Sequence, residues 1–317
     1  MKRRIAKMLL ASMLSVSMLS TASAGVLAEE TEGVEEEAYT GDASLDNTRN
    51  QDEIGEKELL VVSFGTSFND NRRLTIGAIE DDMEAAFEDY TVRRAFTAQI
   101  VIDHVKERDG VAIDNVKEAL DRAVENGVKM LVVQPTLLMN GIEYDELQDT
   151  LVEYADAFES VAVGEPLLTA EEDFKTVKDA LVEWTSEYNA EDTAIVYMGH
   201  GTHHESNAVY GKMQELFETD GNTNYFVGTV EGTPSLEDVM NAVKEGNYKK
   251  VVLAPMMVVA GDHANNDMAS DEADSWKTAF TEAGFEVETL LWGMGENESI
   301  RELYVQHAQA AIDSLTE

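Results

Sequence analysis

From residue 57 onward, short apolar runs alternate with segments in which apolar residues recur every three or four positions. The first pattern is typical of buried strands and the second of amphipathic helices. The helical segments include 144–159 and 235–246, and Ser235 followed by two acids is a good helix start. This alternation predicts an α/β fold in which parallel sheets are flanked by helices. The predicted strands are 59–67, 92–97, 129–138, 160–168, 193–202, 224–232, 249–259 and 286–293.

The chain also repeats itself. Residues 129–147 align with 249–267, proline on proline, and residues 59–67 align with 194–203. We therefore predict two similar α/β halves, 57–190 and 191–317, with a cleft between them. Ligands of such sheets bind beyond the carboxyl ends of the strands.

The N-terminal sequence predicts export. Four basic residues within the first seven precede an apolar run, and Ala22-Ser23-Ala24 supplies a cleavage site. This is the pattern of a signal peptide over residues 1–24, with an apolar core too short to span a membrane. The mature protein is expected in a periplasm or outside the cell, without a stable membrane anchor. Residues 25–56 are rich in acids and poor in apolar residues, which predicts a disordered spacer.

Composition narrows the chemistry. The chain carries 63 acidic and 23 basic residues, a formal charge of −40, which argues against a nucleic-acid partner. It contains no cysteine, which excludes disulfides and thiolate ligands. The sequence has no GxxxxGK[ST] or GxSxG motif, so it offers no sign of a P-loop ATPase or a serine hydrolase elbow.

Three residues that suit a metal ion follow predicted strands. His200 lies in the stretch YMGHGTHHESN, His263 in AGDHANND and Glu231 in VGTVEG. Two imidazoles and a carboxylate suit Co, Fe, Ni or Zn. The glycines on both sides of His200 are expected to let a ligand approach the backbone. Glu143 aligns with His263 and is a fourth candidate. The alternative, that these histidines are hydrogen-bonded structural residues, stays open at this point.

Other polar residues near these motifs are weaker candidates. His203 and His204 point apart as neighbours, so we expect them at most at the rim of the site. Asp262, Asp267 and Asp271 are interpreted as a solvated loop, because the calcium-binding EF-hand pattern is incomplete.

Taken together, several motifs resemble one known family. VVSFGTS, QPTLLMNGIEYDEL, MGHGTHHESN, VGTVEG and LAPMMVVAGDHANNDM are similar to the anaerobic sirohydrochlorin cobaltochelatases, which are class II, ATP-independent tetrapyrrole chelatases. The resemblance covers residues 57–317. It implies two flavodoxin-like halves, a metal held by His200, Glu231 and His263, and an acidic residue on the facing half, here Glu143.

The resemblance also implies a reaction. Co²⁺ would enter sirohydrochlorin or a related tetrapyrrole during cobalamin biosynthesis, with Fe²⁺, Ni²⁺ or Zn²⁺ as substitutes. Metal insertion displaces two pyrrole protons, and an imidazole with a reference pKa of ~6.5 can accept one near neutral pH. We expect His200 to serve as ligand and proton acceptor and Glu143 to position the metal or take the second proton.

Some questions stay open in the sequence. Sirohydrochlorin is a polycarboxylate, and Arg72, Arg73, Arg93 and Arg94 are candidates to bind it. An exported metal or tetrapyrrole carrier without turnover is the alternative function. A homo-oligomer is left open, as is an additional haem. His104 and His307 lie in helical segments and are interpreted as surface residues.

Overall fold

A computed structural model describes residues 40–315. The predicted signal peptide and residues 25–39 of the predicted spacer lie outside the described residues. Within residues 40–315, every predicted apolar run forms a strand. The strands are β1 (Lys57–Ser63), β2 (Thr91–Phe96), β3 (Met130–Pro135), β4 (Ser160–Val163), β5 (Thr193–Gly199), β6 (Tyr225–Thr229), β7 (Lys250–Pro255) and β8 (Glu286–Thr289).

Helices separate the strands, as the alternating pattern predicts. The α-helices are α1 (Asn69–Arg72), α2 (Ala78–Ala86), α3 (Gln99–Asp109), α4 (Val116–Glu125), α5 (Ile142–Tyr154), α6 (Glu171–Trp184), α7 (Ala208–Thr219), α8 (Leu236–Glu245), α9 (Trp276–Glu282) and α10 (Glu298–Ser314). Two π-helical turns, Arg73–Gly77 and Ala264–Met268, interrupt this pattern. No helix of residues 40–315 has the length and apolar character needed to cross a membrane.

The strands form two four-stranded parallel sheets with the same topology. Their orders are β2-β1-β3-β4 and β6-β5-β7-β8. In the first sheet Val62 pairs with Pro135, and in the second Met198 pairs with Pro255. The two prolines therefore occupy equivalent positions, as in the sequence alignment. The predicted α/β fold with two similar halves is confirmed.

The two halves exchange their last helices. Helix α6 follows β4 but packs on the second sheet, where the hydroxyl of Tyr197 donates to the carbonyl of Leu181 at 2.8 Å. Helix α10 follows β8 but packs on the first sheet, where the hydroxyl of Tyr304 donates to the carbonyl of Leu137 at 3.2 Å. One apolar core then joins α2, α6, α7 and α10 with a face of each sheet. In space, the boundary between the halves is therefore not the simple division at residue 190 that the sequence predicts.

Residues 40–56, here called the N-terminal strap, are folded onto the first half. Asp46 accepts hydrogen bonds from Arg72 and Arg94, each at 2.7 Å, and its side chain is 2% exposed. Arg49 is buried and forms ion pairs with three acids of α2. The prediction that the spacer is disordered as far as residue 56 is wrong for the strap. Composition records how many acids a segment has, but not that buried arginines elsewhere pair with them.

The arginines proposed to bind a polycarboxylate are mostly structural. Arg72, Arg93 and Arg94 are each 0% exposed. Arg93 donates to Asp114 at 2.7 Å, and Arg94 donates to Glu80 at 2.7 Å. All three guanidinium groups are buried and paired with carboxylates of the chain, so the sequence-based proposal is wrong for these three. Arg73 is partly exposed and lies 3.7 Å from Asp70.

Candidate active site

His200 and His263 come together at the carboxyl ends of two adjacent strands. His200 directly follows β5, and His263 lies in the loop after β7, beside it in the sheet. Their ring centroids are 4.6 Å apart and the ring planes are nearly perpendicular, at 83°. Two imidazoles that bind one ion with metal–nitrogen bonds of about 2.1 Å have centroids roughly 4.5–5.2 Å apart. The observed separation of the two rings falls within that range.

Both rings leave the same nitrogen available. Nδ1 of His200 lies 2.7 Å from the carbonyl oxygen of Gly201, and Nδ1 of His263 lies 2.7 Å from Oδ2 of Asp267. Since each of these partners is an acceptor, each Nδ1 carries a proton, and in the neutral imidazole the free lone pair is then on Nε2. Among residues 40–315 neither Nε2 has a hydrogen-bond partner. The pair thus presents two imidazole nitrogens, a donor type that suits borderline metals.

The glycines beside His200 serve packing. A Cβ on Gly199 would lie 2.1 Å from the ring of Tyr210, and a Cβ on Gly201 would lie 2.5 Å from the backbone nitrogen of Gly232. Gly201 also has a φ of +84°, which favours glycine. The space that the sequence analysis assigned to an approaching ligand is therefore filled by the protein itself.

Tyr210 supports the His200 loop from below and was missed by sequence reasoning. Its hydroxyl accepts a hydrogen bond from the N–H of Gly201 at 3.2 Å, and the side chain is fully buried. Burial raises the pKa of Tyr210 to about 12, and the negative charge of Glu143 adds to the increase. A Cβ on Gly141 would lie 3.3 Å from Oγ of Ser206 and 3.6 Å from Oε2 of Glu143, so Glu143, at the start of α5, lies near the loop that follows His200.

Glu231 is attached to the site by its backbone only. Its N–H donates to the carbonyl of His200 at 2.8 Å, while its side chain is exposed. Within residues 40–315 no three His, Asp or Glu side chains are arranged to hold one metal ion together. The structure thus brings His200 and His263 together but does not bring the Glu231 carboxylate to them. The role of all three as ligands stays a prediction.

His203 and His204 follow His200 in the loop after β5. His203 is exposed. Nδ1 of His204 accepts from the N–H of Ser206 at 3.2 Å, and Nε2 lies 3.6 Å from Asp145 of the first half. A cleft of about 390 Å³ opens beside this contact, between the two halves. It is lined by Asn140, Leu168, Thr169, Glu205, Ser206 and Val209.

Asp267 is a further residue that the sequence analysis did not assign to the site. Its hydrogen bond to His263 contradicts the interpretation of the three aspartates as a solvated loop. Asp262 and Asp271 fit that interpretation better, because both are exposed and bond only loop or surface side chains, Asn266 and Lys277. The spacing of four residues between His263 and Asp267 was the available signal.

A model of the family described as cobalt chelatase (CbiK) matches residues 57–313. The chain belongs to this family. Among curated proteins, the sirohydrochlorin cobaltochelatase of Salmonella typhimurium is 35% identical over 261 residues, which cover 82% of this chain and 98% of the relative. The sirohydrochlorin cobaltochelatase CbiKC of Nitratidesulfovibrio vulgaris is 28% identical over 279 residues, covering 86% and 97%. The predicted family is therefore confirmed.

A solved structure supports the fold of this cobalt chelatase family member. SirB from Bacillus subtilis with Fe³⁺ superposes with a TM-score of 0.59 at 14% identity, covering 82% of this chain and 98% of that protein. The family match begins at Lys57, the first residue of β1. The N-terminal strap lies outside the matched region, although it is packed on the first half.

Proposed function

We propose that this protein inserts Co²⁺ into sirohydrochlorin without ATP. The observation that carries the proposal is the 4.6 Å separation of the His200 and His263 rings, at the carboxyl ends of adjacent strands, in a member of the cobalt chelatase family. Both named relatives are sirohydrochlorin cobaltochelatases. Cobalt is a substrate here, so the site must bind it and then release it to the tetrapyrrole.

The roles of the side chains follow from their chemistry. Nε2 of each histidine donates its lone pair to Co²⁺, and the carboxylate of Glu231 turns inward as a third ligand. Its N–H donates to the carbonyl of His200, which places the Glu231 backbone beside the histidine. As the tetrapyrrole nitrogens take over the metal, two pyrrole protons must leave. His200, freed of the metal, accepts one proton, and Glu143 on the facing half accepts the other.

Uncharged hydrogen-bond donors in the cleft are proposed to bind the carboxylates of the tetrapyrrole. Because Arg72, Arg93 and Arg94 are buried in ion pairs, they are not available for the substrate's carboxylates. The cleft lining instead offers the Asn140 amide and the hydroxyls of Thr169 and Ser206. Hydrogen bonds from such groups to carboxylates are charge-assisted and therefore stronger than neutral ones.

Two finer points belong to the same proposal. Fe²⁺, Ni²⁺ and Zn²⁺ are substitute substrates, since a site of two histidines and a carboxylate accepts several borderline metals. We also propose that the protein is exported, on the basis of the basic, apolar and small-residue segments within residues 1–24. Recovery of the protein outside the cytoplasm with its mass reduced by cleavage after Ala24 would support export, and an intact N-terminus would contradict it.

The test of function is metal insertion measured by the absorbance of sirohydrochlorin with excess Co²⁺ and no ATP. We expect many metallated products per chain. The His200→Ala, His263→Ala double variant should lose about 10²- to 10⁴-fold in rate, because it lacks both metal donors and a proton acceptor. The matched control is His203→Ala, an exposed histidine of the same loop, which should keep the wild-type rate. A single metallated product per chain would contradict an enzyme and indicate a carrier.

A further inference from the structure

The two histidines differ in what holds their Nδ1 protons. His200 uses the carbonyl of the next residue, Gly201, whereas His263 uses the carboxylate of Asp267, each at 2.7 Å. A carboxylate partner fixes the orientation of an imidazole and increases its basicity more than a neutral carbonyl does. The two candidate donors are therefore chemically unequal.

The backbone around this pair is braced on several sides. His263 directly precedes the π-helical turn Ala264–Met268, which contains Asp267. The side-chain amide of Asn265 donates to the carbonyls of Ala260 at 3.1 Å and Gly261 at 2.8 Å. From the first half, Asn71 accepts from the N–H of Ala260 at 2.8 Å. A π-helical turn inserted in this way often marks a functional site.

Stability does not explain the pair. The side chains of His263 and Asp267 are 33% and 43% exposed, and ion pairs exposed to this degree contribute little to folding. The first half has no equivalent of this pair. Glu143 aligns with His263, and the residue four positions after Glu143 is Leu147, which is buried in the core. The aspartate is thus found only in the half that carries the histidines.

We propose that Asp267 is a positioning residue that holds His263 with Nε2 toward Co²⁺ and strengthens that imidazole as a donor. The proposal rests on the proposed function for its metal, but it concerns binding before any tetrapyrrole is present. Asp267 acts through His263 and does not itself contact the ion.

Titration of the full chain with Co²⁺, followed by the visible absorbance of the bound ion, tests this. Asp267→Asn keeps the shape of the side chain but not its charge and should weaken binding by roughly 10- to 100-fold. Asp267→Glu, which keeps the carboxylate, should lose less Co²⁺ affinity than Asp267→Asn. The matched control is Asp262→Asn, an exposed aspartate of the same loop that contacts only Asn266, and it should leave the dissociation constant unchanged.

A double-mutant comparison separates positioning from direct ligation. In a His263→Ala background, Asp267→Asn should have no further effect on Co²⁺ binding, because the imidazole through which it acts is gone. An equal loss in that background would overturn the proposal, as would a loss in Asp262→Asn as large as in Asp267→Asn, or wild-type affinity in Asp267→Asn. A wild-type chain that binds no Co²⁺ would overturn it too.

The result is also distinct from that of the insertion assay. Asp267-dependent Co²⁺ binding without turnover would leave the positioning role intact and reject the enzymatic function. Wild-type turnover with no effect of Asp267→Asn on binding would support the enzymatic function and reject the positioning role.

Discussion

The two halves have the same backbone at their strand ends but different side chains. In the first half the N–H of Ala98 donates to the carbonyl of Phe64 at 3.2 Å, and in the second the N–H of Glu231 donates to the carbonyl of His200 at 2.8 Å. These are the same bond in the two repeats. The equivalent side chains are Phe64, Ala98 and Glu143 in the first half and His200, Glu231 and His263 in the second. A duplicated fold therefore provides equivalent positions, and at these positions the histidines are present in the second half and absent from the first.

The interiors differ as much as the strand ends. The first half buries arginines with carboxylates, as in the pair of Arg94 and Glu80, whose side chains are both 0% exposed. The second sheet is packed by aromatic residues such as Tyr197, Tyr210 and Tyr225. Breaking a buried ion pair is costly because one charge is left unpaired, whereas an apolar core is insensitive to pH. We therefore expect changes of buried charge and of pH to act more on the stability of the first half than on that of the second.

The largest expected loss of stability comes from replacing Asp46 of the strap. Burial works to raise its pKa, but hydrogen bonds and charge from Arg94 and Arg72 outweigh burial and lower it. Asp46→Ala leaves two buried guanidinium groups short of a partner and should lower the free energy of unfolding by about 3–5 kcal/mol. Denaturant unfolding measures the loss.

The matched control for Asp46 is Asp70→Ala. Asp70 is 49% exposed and lies 3.7 Å from Arg73, so its loss should cost less than about 1 kcal/mol. Under conditions in which Asp46→Ala is still folded, Co²⁺ should bind it as tightly as the wild type. Equal losses for the two variants would contradict a structural strap, and weakened Co²⁺ binding would show that the strap also supports the candidate site.

A smaller change in the free energy of unfolding is expected when pH changes, through Glu58. Burial raises the pKa of Glu58 from 4.5 to about 7, more than the neighbouring Arg93 lowers it. The folded state therefore holds a proton that the unfolded state has released, and the stability that this proton provides is full below pH 4.5 and is lost as pH rises through about 7. Between pH 5 and 7.5, wild type should lose about 2 kcal/mol more than Glu58→Gln, which does not titrate. Unfolding at a series of pH values measures this.

The control for Glu58 is the exposed Glu88→Gln, which should keep the wild-type pH dependence. If Glu58→Gln also follows the wild type, the buried ion pairs of the first half do not make it sensitive to pH in this range.

The sequence predicts the fold and part of the site for a physical reason. Apolar runs of strand length specify the sheets, and the repeat of Pro135 and Pro255 specifies two halves. Strand ends of neighbouring parallel strands meet, so His200 and His263 could be paired in advance. These are properties of the local chain, and the structure has them.

What the sequence could not supply are pairings between distant residues. Arg94 resembles a surface cation until Asp46, 48 positions away, and Glu80 are seen beside it. The strap resembles a disordered acidic tract for the same reason. Tyr210 supports His200 only because Gly199 leaves room for its ring. Each of these depends on which side chains the fold brings together, and residue type and spacing do not encode that.

The smallest expected loss of stability comes from replacing Asn71, whose side chain hydrogen-bonds the second half. Asn71 of α1 accepts from the N–H of Ala260, in the loop that carries His263, and its amide lies 3.4 Å from Glu296. Asn71→Ala should lower the free energy of unfolding by only about 1 kcal/mol, the net value of one hydrogen bond. Co²⁺ binding should nevertheless weaken, because the loop loses its brace from the first half. Calorimetric titration with Co²⁺ and denaturant unfolding together measure the two effects.

The control for Asn71 is Asn266→Ala, an exposed asparagine that bonds Asp262 in the same loop. It should keep both stability and Co²⁺ affinity. If Asn71→Ala and Asn266→Ala behave alike, the first half does not support the metal-binding loop. If only Asn71→Ala weakens the metal, the half without the histidines still contributes to the site, by holding the His263 loop in place rather than by donating a ligand.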